Sequence, residues 1–216
     1  MKKFLKNNSL SITFFLFFLV SLIAQVKFGL EEYNKELAEE GATTVALGEY
    51  LTSGHFLQST FENWESEFLQ MALFVLFTIW LREKGSSESK ESEGDPVDRE
   101  PDPKRKGAPW PVKKGGIFLT VYKHSLTLAL FILFIVSFIV HFYGSLEDEN
   151  LQNALKGEPA ETAGEYISSS RFWFESFQNW QSEFLSVFAI IVLSIYLRQI
   201  GSSQSKPVDA PHDKTE

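Results

Sequence analysis

Two stretches decide the fold: GEYLTSGHFLQSTFENWESEFL at residues 48–69 and GEYISSSRFWFESFQNWQSEFL at residues 164–185. They lie 116 residues apart, and the same offset continues without a gap through Leu81-Arg82 against Leu197-Arg198 to GSSESK against GSSQSK. It also aligns Ser9 with Ser125 and Leu10 with Leu126. About 20 of the 43 positions from Gly48 to Lys90 are identical, far above chance for unrelated apolar segments, so the chain reads as an internal duplication.

Outward from these stretches, apolar residues fall into four blocks near 10–26, 68–81, 125–143 and 184–197, with the charges crowded between them. The whole-chain averages conceal this segregation: 44% hydrophobic with 21 Phe and 5 Trp, 22% charged, and a mean hydropathy of −0.08. Bilayer and water each solvating separate stretches produces such a pattern. Each copy reads as helix, acidic loop, aromatic amphipathic segment, helix and basic tail. The predicted fold class is all-α: an integral membrane protein with four transmembrane helices, as two tandem parallel two-helix repeats. Two helices return the chain to its starting side, so the copies share one orientation, and a four-helix bundle is the natural packing.

The expected organisation is repeat 1 over 1–90 (helices about 9–28 and 64–82), a flexible cytoplasmic linker over 91–116, repeat 2 over 117–206 (helices about 124–143 and 180–198) and a tail over 207–216. The linker is Ser-, Glu-, Asp-, Pro- and Lys-rich and lacks an apolar period. Its basic second half, with Lys104, Arg105, Lys106, Lys113 and Lys114, suits anionic lipid rather than nucleic acid. Lys2, Lys3 and Lys6 before Leu10–Ala24 also fit a secretory signal peptide, but recurrence of the pattern over Ser125–His141 favours a retained helix.

Lys and Arg number 3 before the first block, 10 from Arg82 to Lys123 and 3 after the last block, whereas the loops joining the helices of each copy are acidic. That asymmetry predicts a multi-pass protein of the bacterial cytoplasmic (inner) membrane with both termini cytoplasmic. The 14-residue cores Phe68–Leu81 and Phe184–Leu197 reach only about 21 Å, short of a hydrocarbon core of about 30 Å. Extension to Trp64 and Trp180 makes these residues interfacial anchors, with Trp80, Tyr196, Arg82 and Arg198 at the opposite ends.

Helical spacing puts Asn63 and Glu67 on one face of the second helix, and Asn179 and Glu183 at the equivalent steps of the fourth. Gln25 and His141, equivalent under the repeat, come from the first helix of each copy at similar depth. Glu67, Glu183, His141, Gln25, Asn63 and Asn179 form the candidate ion or proton site, because an ionisable group in a membrane is costly unless it is paired and a carboxylate beside His can move protons. The competing reading leaves them solvated at headgroup level. No catalytic residue, metal site or cofactor is expected: there is no Cys, no phosphate-cradling Gly loop and no HExxH. Glu49-Tyr50 and Glu165-Tyr166, also duplicated, are assigned to shaping the loops.

The blocks NWESEFLQ and NWQSEFLS, with LTSGHF, SSRFWFESFQNW, APWPVKKGG and SKPVDAPH, resemble a family of small bacterial membrane proteins defined by a domain of unknown function. The resemblance implies a bacterial cytoplasmic membrane location and supplies no activity. From the residues, the protein reads as non-enzymatic, structural or accessory. The alternative is a small oligomeric ion channel or proton-coupled transporter using the outer-leaflet Glu/His cluster. The partners expected are the lipid bilayer and a second copy or an unidentified membrane protein, and no nucleic acid.

Overall fold

The computed structural model describes residues 2–90 and 95–215. Among them every regular element is helical: α1 (Lys2–Asn7), α2 (Ser9–Glu39), α3 (Leu47–Tyr50), α4 (Gly54–Phe77), a 3-10 turn (Pro96–Asp98), α5 (Trp110–Lys114), α6 (Gly116–Lys123), α7 (Ser125–Lys156), α8 (Ala163–Tyr166) and α9 (Ser170–Tyr196). Within the expected linker, residues 91–94 lie outside the described residues, and its last part is helical in α5. The chain divides into one unit of residues 1–61 and 139–172 and a second of residues 62–138 and 173–216.

The long helices start and stop elsewhere than hydropathy suggests. α2 runs to Glu39 and α7 to Lys156, so most of the acids expected in outer loops ride on helices. Glu, Lys, Leu and Ala favour helix, and Leu30, Tyr33 and Leu37 recur on one face of α2, which gives these polar turns something to bury. α4 and α9 begin about ten residues earlier than expected because Ser53 and Ser169 accept hydrogen bonds from the Phe56 and Phe172 amides, at 3.2 and 3.3 Å. α4 also ends early, at Phe77 rather than near 82. The Thr78 hydroxyl donates back to the Phe74 and Val75 carbonyls, and the chain tightens as Trp80 N–H reaches the Phe77 carbonyl at 3.1 Å. Trp80 and Arg82 therefore lie past the helix.

In the first unit, Tyr33, Leu37 and Tyr50 form a buried core flanked by Leu30, Val45, Phe56, Leu151 and Leu155. Residues 116 apart make matching bonds here. Asn34 exchanges two hydrogen bonds with the Val45 backbone, at 3.0 and 2.7 Å, and Asn150 does the same with Glu161, at 3.1 and 2.6 Å. The Glu49 carboxylate accepts from Ala46 N–H, and that of Glu165 accepts from Thr162 N–H. Tyr50 and Tyr166 are both fully buried. α4 and α7 cross so closely that a Cβ on Gly54 would stand 2.5 Å from Asp148 N and 2.6 Å from the Gly144 carbonyl oxygen.

In the second unit, rings link α7 to α9: Phe134 lies 6.5 Å from Trp180, and Phe138 lies 6.5 Å from Trp173. Ser86 and Ser194 share a buried hydrogen bond of 2.9 Å, which ties the chain beyond α4 to α9. Three helices, α2, α7 and α9, are long and apolar enough to cross a membrane. α4 is 24 residues long, about 36 Å, but carries Glu62, Glu65 and Glu67 within six positions and is not among the three.

Candidate functional site

α4 and α9 run in the same direction in the second unit, because partners further along one lie further along the other. Glu65, with no exposed surface, accepts a 2.8 Å hydrogen bond from the Trp180 indole N–H. Two residues on in α4 and three on in α9, the side chains of Glu67 and Glu183 come within hydrogen-bonding reach of each other. Toward the start of both helices, Glu62 and Glu175 bring carboxylate oxygens within 4.8 Å. No Lys or Arg occurs in residues 62–81 or 172–197; the one Arg on α9, Arg171, bonds Asp148 and Glu149 of α7.

Two carboxyl groups share a hydrogen bond only when one of them holds a proton. At about 4 Å two ionised carboxylates repel by about 4 kcal/mol at an effective dielectric of about 20. A proton held between two carboxyl groups that close removes the repulsion. Glu183 is half-buried, while Glu67 is exposed on the surface of the chain.

Of the six residues singled out from sequence, Glu67 and Glu183 meet. Gln25 instead donates to the Thr60 hydroxyl at 3.1 Å. His141 is fully buried with its ring 5.2 Å from that of Phe172, in the first unit, whereas the two glutamates belong to the second. Asn179 spends its amide on the Glu175 carbonyl at 3.0 Å, and the Asn63 carbonyl accepts from Ser66 at 2.9 Å. Trp180, expected as an anchor, holds Glu65, and Trp64 is half-buried; Trp80 and Tyr196 are exposed. Arg198 bonds carbonyls of the last turn of α9, and Arg82 those of the turn that follows α4.

The duplication does not reveal Glu62, Glu65 and Glu175, since the offset pairs them with Gln178, Gln181 and Ser59. Three acids and no base within six positions of α4 was the available clue. The duplicated Glu-Tyr pairs do shape the loops. Burial pushes the Tyr50 phenol above its ordinary pKa, with Glu36 and Tyr33 adding to the effect. The Thr162 N–H and hydroxyl hold the Glu165 carboxyl below the usual carboxylate range.

Among the described residues the architecture is thus all-helical, with three helices long and apolar enough to cross a membrane. The chain belongs to the family defined by the domain of unknown function DUF6766, which matches residues 1–216. No curated protein and no solved structure matches it.

Proposed function

We propose that this is a bacterial cytoplasmic-membrane protein that crosses the bilayer four times as two tandem two-helix repeats, with both termini cytoplasmic, and that it handles protons or small cations through Glu67 and Glu183. The observation that carries this reading is the meeting of two repeat-related carboxyl groups on parallel helices, in stretches of both that contain no Lys or Arg. A carboxyl pair in a bilayer is costly to keep for packing alone, and ionisable residues there line ion or proton routes. The exposure of Glu67 adds a second point: within a bilayer it needs cover from lipid headgroups, water or a second copy of the chain, and a homo-oligomer supplies it. The action is non-enzymatic.

Proton flux into liposomes followed with an entrapped pH-sensitive dye tests this. Wild type is expected to carry flux that Glu67→Gln/Glu183→Gln abolishes, and equal flux in the two would remove the pair from any mechanism. The accessory reading is supported by the duplicated Asn34/Asn150 and Glu49/Glu165 contacts, all of which build structure. It predicts no flux in wild type and a membrane partner that copurifies in gentle detergent.

A further inference from the structure

The chain leaves α4 and α9 in the same way. Arg82 Nη1 donates to the carbonyls of Thr78, Ile79 and Leu81 at 3.4, 3.2 and 3.1 Å, and Arg198 Nη1 donates to those of Ser194, Ile195 and Leu197 at 3.2, 3.0 and 2.8 Å. The next amides, of Glu83 and Gln199, donate to Ser89 and Ser205 at 3.0 and 2.9 Å. The other edge of the guanidinium differs. Arg198 directs Nε at the Pro207 carbonyl and Nη2 at the Ala210 carbonyl, at 3.1 and 3.0 Å, so the following chain fills that edge with oxygen. Among the described residues Arg82 Nε and Nη2 meet no acceptor; Arg82 instead lines an open cavity of about 370 Å³. Glu83 and Glu88 stand on its polar side, and Phe74, Leu81 and Ile191 on its apolar side.

We infer that this cavity binds one phospholipid with an amine headgroup: phosphodiester oxygens on Arg82 Nε and Nη2, the ammonium toward Glu83 and Glu88, and an acyl chain along Phe74, Leu81 and Ile191. Arg198 shows which group the vacant edge accepts, namely a pair of oxygens. A planar guanidinium fork matches a phosphodiester in the same manner. One guanidinium beside two carboxylates leaves a net charge of −1, which disfavours an anionic headgroup, whereas a zwitterionic headgroup adds no net charge and sets its ammonium beside the carboxylates. Burial already raises the Glu88 carboxyl above its ordinary pKa, against the Ser87 hydroxyl bond, and a neighbouring ammonium would favour its ionised form. Exposed Trp80 and Leu81 adjoin the cavity wall, as suits a membrane interface. The inference rests on the bilayer reading given above and not on Glu67 or Glu183.

The test uses the full chain, returned from delipidated detergent solution to nanodiscs of mixed phosphatidylethanolamine and phosphatidylglycerol, with retained lipid counted by native mass spectrometry. Wild type is expected to retain one phosphatidylethanolamine. Arg82→Gln is expected to weaken retention about tenfold, the loss of a charge-assisted bond. Because Arg82 also holds the turn that follows α4, Glu88→Gln provides the independent variant and is expected to turn the preference toward phosphatidylglycerol. An unchanged preference in Glu88→Gln, or wild type retaining both lipids equally, would overturn the proposal. Arg82-dependent binding of inorganic phosphate to the delipidated protein, as tight as that of the lipid, would overturn it in favour of a free anion. If the protein leaves membranes without detergent, it is the bilayer reading itself that fails.

Discussion

Replacing Gly54 by alanine places a methyl carbon 2.5 Å from Asp148 N, 2.6 Å from the Gly144 carbonyl oxygen and 2.9 Å from Glu147 Cβ. Ordinary carbon contacts begin near about 3.5 Å, so α4 and α7 must separate by about 1 Å in the first unit. The obstacles are mainly backbone atoms, which no side-chain rotation clears. Overpacking of this kind costs about 1–3 kcal/mol. For a chain of this length that corresponds to a fall in Tm of about 2–4 °C per kcal/mol. The control is Gly48→Ala, in the short α3, where a Cβ meets nothing within 4 Å; it is expected to leave Tm unchanged or raise it slightly. Thermal unfolding of both variants in one detergent is the assay. Equal Tm for Gly54→Ala and wild type, or an equal loss in Gly48→Ala, would refute the close-crossing argument.

The two buried tyrosines should respond oppositely to loss of the hydroxyl. Tyr166 shares a 2.5 Å hydrogen bond with Ser145, so Tyr166→Phe should cost about 1 kcal/mol in denaturant unfolding. The Tyr50 hydroxyl is buried against Gly29 with no partner among the described residues, so Tyr50→Phe should be neutral or stabilising. A fall in stability equal to that of Tyr166→Phe would refute this. For Glu165, whose pKa is depressed in the folded protein, the contribution of the Thr162 box is fully present above the ordinary carboxylate range and is lost as pH falls through the depressed value. Thr162→Ala should flatten that acid limb in a Tm-against-pH series. Trp180→Phe removes the indole donor from a buried carboxylate and should lower stability by about 1.5–3 kcal/mol, whereas exposed Trp80→Phe should not, as read from the same unfolding curves.

The pairing of Glu67 with Glu183 was legible because the offset of 116 puts both at one depth on helices of one direction. The association of Gln25 and His141 with them was not: both are polar at the right depth, but Gln25 finds Thr60 and His141 finds Phe172. Depth follows from position along a helix, whereas the partner depends on how that helix is rotated. Glu65 makes the same point. Only two positions from Glu67, it faces inward while Glu67 is exposed, since two helical steps turn a side chain about 200°.

Sequence alone determined that apolar stretches alternate with charged ones, that segments 116 residues apart resemble each other and that carboxyl groups such as Glu67 and Glu183 fall at matched positions in them, because hydropathy and self-similarity are written along the chain. Tertiary structure decided where the helices end and which acid faces which partner. The turns beyond Phe28 and Tyr143 are polar and reveal nothing by hydropathy; Tyr33 and Leu37 in α2, and Leu151 and Leu155 in α7, extend them as helix by closing a core around Tyr50. Burial of that kind joins residues far apart in the chain, so it appears only once the chain has folded.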